Sequence, residues 1–217
     1  MKAWLRTALR VLRTLRPPSR RANIKRMQRR GESLDTITIR EARATDIPAL
    51  GALHAKTWSN TYPRVVHPPT AQLREYQWKE QFKVTDGSWC CFVVENSAGQ
   101  LVGFAKGTPF KAAAQPDFNG ELSKIYLLRE YQRLGLGSRL LEKVVQHFLQ
   151  RNIHNILLFA DPGNASCRFY ETLGAEKLFD KNGAFHGTYG WRNLQELLNR
   201  LCQAAPRSTR SSTRAGS

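Results

Sequence analysis

Apolar residues recur along this chain with two periods, and the switches between them divide it into strands and helices. Ile37-Thr38-Ile39-Arg40 alternates as an opening strand. Thr45 caps a predicted helix running through Leu53 and His54, and Thr70 caps another through Phe82. Trp89 to Glu95 and Leu101 to Thr108 read as a hairpin about Asn96-Ser97-Ala98-Gly99. Glu121 to Leu127 is a further apolar strand, and after a short polar turn Gln132-Arg133-Leu134-Gly135-Leu136-Gly137 opens a helix. The continuous apolar run His154 to Ala160 suits a strand buried on both faces. Asp161-Pro162-Gly163 breaks it, Asn164 caps a helix over Ala165 to Leu173, and Gly174 ends that helix. Ala175 to Asp180 and His186 to Trp191 are expected strands, with Leu194 to Leu201 a closing helix.

The glycine pair at the strand-to-helix turn carries the first chemical signal. Without a Cβ, the backbone at Gly135 and Gly137 can approach a ligand closely. The first N–H groups of the helix lack intrahelical partners, and the helix dipole adds positive potential, so the turn is suited to an anion. A glycine-rich helix start with no ligand is the plain alternative. Two phosphate loops are excluded. No Lys-Ser or Lys-Thr follows the last glycine, and Leu140 stands where a dinucleotide fingerprint needs its third glycine.

What remains is Gln/Arg-x-x-Gly-x-Gly/Ala after a strand, which resembles the acetyl-coenzyme A loop of the GNAT (general control-related N-acetyltransferase) superfamily. A second block, Asn164-Ala165-Ser166-Cys167-Arg168-Phe169-Tyr170-Glu171-Thr172-Leu173-Gly174-Ala175, is similar to that family's other motif. Ala175 departs from it, standing where the family often has Phe. The resemblance covers roughly residues 36–200. It implies an α/β (α+β) fold: a mixed, twisted sheet of about six to seven strands, its fourth and fifth strands splayed, with helices on both faces and the thioester in the gap. Three regions follow: a basic amphipathic or flexible segment at 1–30, the acetyltransferase domain at 36–200, and a disordered basic tail at 206–217.

The resemblance also implies roles. Acetyl-CoA is the expected acetyl donor, with no metal. Gln132 opens the loop, and the amides of Arg133, Leu134, Gly135, Leu136, Gly137 and Ser138 are placed on the pyrophosphate, with Arg133 and Arg139 adding charge or merely solvated. A backbone N–H of the fourth strand between Ile125 and Leu127 is expected on the acetyl carbonyl, with Leu127 preferred. Asn164 is placed on the pantetheine arm or in the fifth-strand turn. An alkyl ammonium has a pKa of about 10.4, so roughly one amine in ~10³ is neutral at pH 7 and the site must accept a proton. Glu121 occupies the position of a general base in several such enzymes; a solvent-facing carboxylate is the alternative. Tyr170 matches the tyrosine that donates to the leaving sulfur. Trp58 and Tyr62 are expected in the acceptor wall, with Asp117 and Glu121 as partners for the amine. Small-molecule amines, peptide N-termini and lysines all stay open as acceptors, and no specific nucleic acid is expected.

Charge changes the picture only at the ends. The 217 residues carry +17, and 41% are apolar, enough for a core. Residues 1–30 hold eleven Lys or Arg and residues 206–217 hold three Arg, with no acid in either. Removing these fourteen charges leaves +3 on residues 31–205. On a helical wheel Trp4, Ala8, Val11, Leu12 and Leu15 oppose Lys2, Arg6, Arg10, Arg13 and Arg20. This reads as a mitochondrial presequence in a eukaryotic source, a weak membrane-surface contact through residues 1–20, a solvated tail, or sequence upstream of a start at Met27. Cys90, Cys91, Cys167 and Cys202 show no zinc spacing and read as reduced thiols of a cytoplasmic protein, or of the matrix in the first case. Monomer and homodimer are both open. The rival from another class is an inactive or weak fold of this type, tethered to nucleic acid or membrane by its basic ends.

Overall fold

The computed structural model describes residues 18–63, 65–112 and 115–204. The predicted helix over Trp4 to Leu15 and the predicted tail at 206–217 lie outside the described residues. Seven strands form one sheet: β1 (Thr38–Glu41), β2 (Cys90–Glu95), β3 (Leu101–Pro109), β4 (Gly120–Leu127), β5 (Ile156–Phe159), β6 (Glu176–Phe179) and β7 (Phe185–Trp191). Their order is β1-β2-β3-β4-β5-β7-β6, and β4–β5 is the parallel pair in an otherwise antiparallel sheet.

Helices cover both faces. α2 (Ile47–Thr61) and α3 (Ala71–Phe82) lie on one, and α4 (Leu136–Gln150) and α6 (Leu194–Ala204) on the other. The apolar stripe of α4 explains its place: Leu136, Leu140, Leu141, Val144, Val145 and Phe148 are all fully buried. Gly107 of β3 lets that helix sit close, since a Cβ there would meet the Phe148 ring at 2.8 Å. The short α5 (Cys167–Thr172) follows β5.

Three boundaries differ from the sequence expectation. α2 continues about two turns beyond His54, so Trp58 lies within a helix and Tyr62 is its C-terminal cap rather than part of an inter-helix loop. Thr57, Ser59 and Thr61 are poor helix formers, but each hydroxyl donates back to the carbonyl four residues earlier, at 2.8, 3.0 and 2.9 Å. α5 starts at Cys167 because the Asn164 side chain accepts the Ser166 N–H at 2.9 Å, closing a turn ahead of the helix.

The third is a helix the sequence reading left out. Within the segment 1–30 that the charge pattern sets apart, Arg20–Arg29 forms helix α1, capped by Ser19 and packed by Asn23 and Met27. Its remaining residues are largely basic and solvated, so it carries no apolar stripe to read. Among the described residues no helix is long and apolar enough to cross a membrane.

Candidate active site

β4 and β5 pair only at Gly120↔Ile156 and Glu121↔Leu157. Beyond Leu157 the strands part, leaving the Leu122–Leu127 stretch of β4 facing a gap. A bulge sharpens this. Lys106 pairs with Lys124 while Gly107 pairs with Leu122, so Ser123 is the extra residue. Its hydroxyl donates to the Lys106 carbonyl at 3.2 Å. The bulge turns Glu121 and Lys124 toward the α2–α3 face, while Leu122, Ile125 and Leu127 face α4. Ile125 and Leu127, the expected carbonyl holders, lie partly buried along the gap.

The loop from β4 into α4 is built for exposed amides. Arg133 and Gly135 both adopt positive φ, +62° and +84°, so the chain turns sharply before α4. A non-glycine residue in this region is uncommon and carries strain. No side chain caps α4 at Gly135, so its first N–H groups are left for another partner. A Cβ on Gly135 would meet nothing within 4 Å; the glycine serves backbone conformation and the open space beside it, not packing. Leu134 and Leu136 are buried and anchor the loop; Arg133 and Arg139 are exposed. Gln132 faces inward, its amide donating to the Leu127 carbonyl at 3.1 Å, so its side chain ties the loop to the end of β4.

Helix α1 holds this loop from behind. The fully buried Asn23 amide donates to the carbonyls of Arg129 and Gln132, both at 2.8 Å. Tyr131 between them donates to Glu32 at 2.6 Å and lies under the Arg30 guanidinium at 5.0 Å. Asn23 is a positioning residue that sequence reasoning missed, since a lone Asn in a basic stretch gives no signal. Asn23→Ala removes two buried hydrogen bonds, worth roughly 1–3 kcal/mol together. The melting temperature is expected to fall by roughly 3–8 °C, with faster hydrogen exchange at residues 132–138. Unchanged exchange there would mean that α1 packs without holding the loop.

Across the gap, α5 presents Tyr170. Its ring is buried among Phe169, Tyr189 and Trp191, with centroids 5.5–6.2 Å away. Burial raises the phenol well above its ordinary value, so it stays a neutral donor. Asn164 lies close enough to influence the Tyr62 hydroxyl, which brings the entrance of α5 beside the end of α2. Tyr62 stacks on Trp58 at 5.0 Å, and the Arg74 guanidinium of α3 lies 5.9 Å over the Trp58 ring. Trp58 and Tyr62 thus form one aromatic pair at the end of α2. Tyr126 of β4 joins it, with burial as the main cause pushing its phenol up to about 12.

Glu121 sits partly buried at the point where β4 and β5 separate, and desolvation raises its carboxyl above the ordinary range against the opposing pull of Lys124 and Lys106. Asp117 does not join it. It precedes the paired, closed end of β4 and is ion-paired with Arg192 at 3.0 Å, which also holds Glu176 of β6 at 2.7 Å. Cys167 lies beside the gap, donating to the Asp161 carbonyl, and Cys90 and Cys91 are buried in β2, where desolvation raises both thiols.

With this geometry in view, the comparisons with known proteins agree. The Acetyltransferase (GNAT) family matches residues 52–175. The Bacillus subtilis protein named Uncharacterized N-acetyltransferase YuaI is 30% identical over 176 residues, spanning 76% of this chain and 99% of that protein. The solved ribosomal-protein-alanine N-acetyltransferase of Brucella melitensis is 26% identical, with a TM-score of 0.55 over 71% of this chain and 98% of its own. The PaiA N-acetyltransferase of Thermoplasma acidophilum, solved in complex with coenzyme A, is similar in fold. It has a TM-score of 0.56 at 17% identity, over 71% of this chain and 97% of that one.

Proposed function

Since this chain belongs to the GNAT acetyltransferase family, we propose that it transfers the acetyl group of acetyl-CoA to a primary amine by direct attack in a ternary complex. One observation carries the donor assignment. The uncapped start of α4, with Gly135 in the left-handed region and open space beside it, opens next to the diverging strands β4 and β5. Amides of residues 133–138 hold the pyrophosphate, as helix N-termini hold phosphates generally. A β4 backbone N–H near Leu127 receives the negative charge that develops on the acetyl oxygen.

Glu121 takes a proton from the ammonium, directly or through one water, and the neutral nitrogen attacks the acetyl carbon. The C–N bond forms, the C–S bond breaks, and the electron pair leaves on sulfur, where the Tyr170 hydroxyl donates a hydrogen bond to it; the second proton lost from the nitrogen passes through water to the thiolate. Desolvation at Glu121 supports its role, because a carboxylate raised above its ordinary range is a stronger base near neutral pH.

The test is thiol release from acetyl-CoA across a panel of amines. A base must be deprotonated, so kcat/KM is expected to rise with pH through a limb lying above the ordinary glutamate range. Glu121→Gln is expected to lower kcat/KM about 100-fold or more and erase that limb. A limb retained at the same pH in the variant would assign the base elsewhere. Absence of thiol release with every amine would favour a binding role for the fold.

A further inference from the structure

On the α2–α3 side of β4, next to the Trp58–Tyr62 pair, a cavity of about 240 Å³ is lined by His54, Arg74, Gln77, Trp78, Gln81, Lys106 and Lys124. Three cations converge there from three elements: Arg74 from α3, Lys106 from β3 and Lys124 from β4. Among the described residues none of the three is ion-paired. Arg74 bonds Gln77 at 2.9 Å, and Lys106 donates to Gln81 and lies 5.7 and 5.8 Å over the Trp78 and Trp89 rings. Glu121 exerts the opposing charge, on both lysines, but without direct contact.

Polar atoms around the same cavity lack partners. Arg74 Nε, Trp78 Nε1 and His54 Nδ1 are buried with no hydrogen bond, and Trp78 and His54 are only 3% and 2% exposed. Unpartnered polar atoms inside a folded chain are rare, and each costs stability. Three in one place, among three cations that form no ion pair, describe a binding site rather than a packing fault.

We propose that this cavity takes an anionic headgroup, a carboxylate or a phosphate-type group, carried by the amine that is acetylated. The inference rests on the acetyl-transfer reading and deepens it by naming the acceptor class. Charge and geometry agree. Like charges this close repel one another in the free protein, and burial adds to the cost: Lys106 is held down to about 8, chiefly by desolvation and then by Lys124. A bound anion relieves both. The cavity is too small for a whole ligand of ordinary size but ample for a headgroup. Its lining residues touch the aromatic side chains next to it. The His54 ring lies 5.7 Å from Tyr126, and Arg74 covers Trp58, so an acceptor anchored by its anion runs along these side chains toward Glu121.

The experiment uses matched acceptors: amino acids against their carboxamides, and aminoalkyl phosphonates against aminoalkanes of the same length. Calorimetry on the full chain loaded with coenzyme A reads binding, and thiol release from acetyl-CoA reads turnover. The anionic member of each pair is expected to bind at least tenfold tighter. Lys124→Met and Arg74→Gln are expected to remove that preference, bringing the anionic member of each pair to within twofold of its neutral partner. The carboxylate and phosphonate arms tell which headgroup fits. Lys106→Met, which removes a desolvated charge, should melt no lower than the parent and lose the same preference, so a folding defect cannot imitate the result. Neutral members that bind as well as anionic ones, a preference that survives these substitutions, or no binding by any member would each overturn the proposal. Anion-selective binding without turnover would instead leave the site standing and sink the acetyl-transfer reading.

Discussion

Gly135→Asp is expected to weaken acetyl-CoA binding at least ~100-fold, about 2.7 kcal/mol, measured by calorimetry on the folded protein. The position separates three effects that usually travel together. Its φ of +84° strains any side chain, at about 1–2 kcal/mol, so every non-glycine variant should melt a few degrees lower. A Cβ there meets no atom of the protein, so loss of affinity cannot come from a clash within the fold. It must come from the space beside the loop and from charge. Gly135→Asn tolerates the left-handed region and adds nearly the same bulk without charge. It should cost about tenfold, and only the Asp penalty should shrink as salt is raised. Gly137→Ala is the mild member of the series, since its Cβ would make ordinary contacts at 3.5 Å with Phe169 and 3.8 Å with Leu127. Unchanged affinity in Gly135→Asp would remove the loop from the binding site.

The same glycine explains why the donor side was legible in the sequence and the acceptor side was not. A left-handed turn before an uncapped helix restricts residue type, so Gly135, Gly137 and the apolar periods of β4 and α4 leave marks that can be read one position at a time. Tyr170 and Asn164 leave a weaker mark, carried by a second motif at a fixed distance. Asn23 leaves none: its function is two backbone carbonyls more than a hundred positions away. The cation cavity is silent for the same reason, because Arg74, Lys106 and Lys124 meet only once α3, β3 and β4 are assembled and a bulge at Ser123 has turned Lys124 to face Lys106. Asp117 shows the opposite error. Nearness to Glu121 in sequence suggests nearness in space, but Asp117 lies in the turn before β4, where its carboxylate pairs with Arg192. Side-chain chemistry that depends on local backbone shape can be read early; chemistry that depends on convergence cannot.

Tyr170→Phe is expected to lower kcat about 100-fold while leaving the Kd for acetyl-CoA within twofold. Phe keeps the ring packed among Phe169, Tyr189 and Trp191, so the fold should be little disturbed, and what is lost is the hydroxyl. The size of the effect follows from what that hydroxyl can do. A free thiol has a pKa of about 8.5, whereas burial lifts the Tyr170 phenol well above its ordinary value. Complete transfer of its proton to a thiolate therefore runs uphill. The favourable role is a preorganised hydrogen bond to the charge building on sulfur, and removal of one such donor costs roughly 10²–10³ in kcat. Two consequences distinguish donation from full proton transfer. The parent should show no alkaline loss of activity traceable to Tyr170, since the phenol stays neutral there. The Phe penalty should also shrink with acetyl thioesters of more acidic thiols, whose sulfur needs less help to leave. A kcat unchanged in Tyr170→Phe would return this residue to the core it already packs in and leave the leaving sulfur to water.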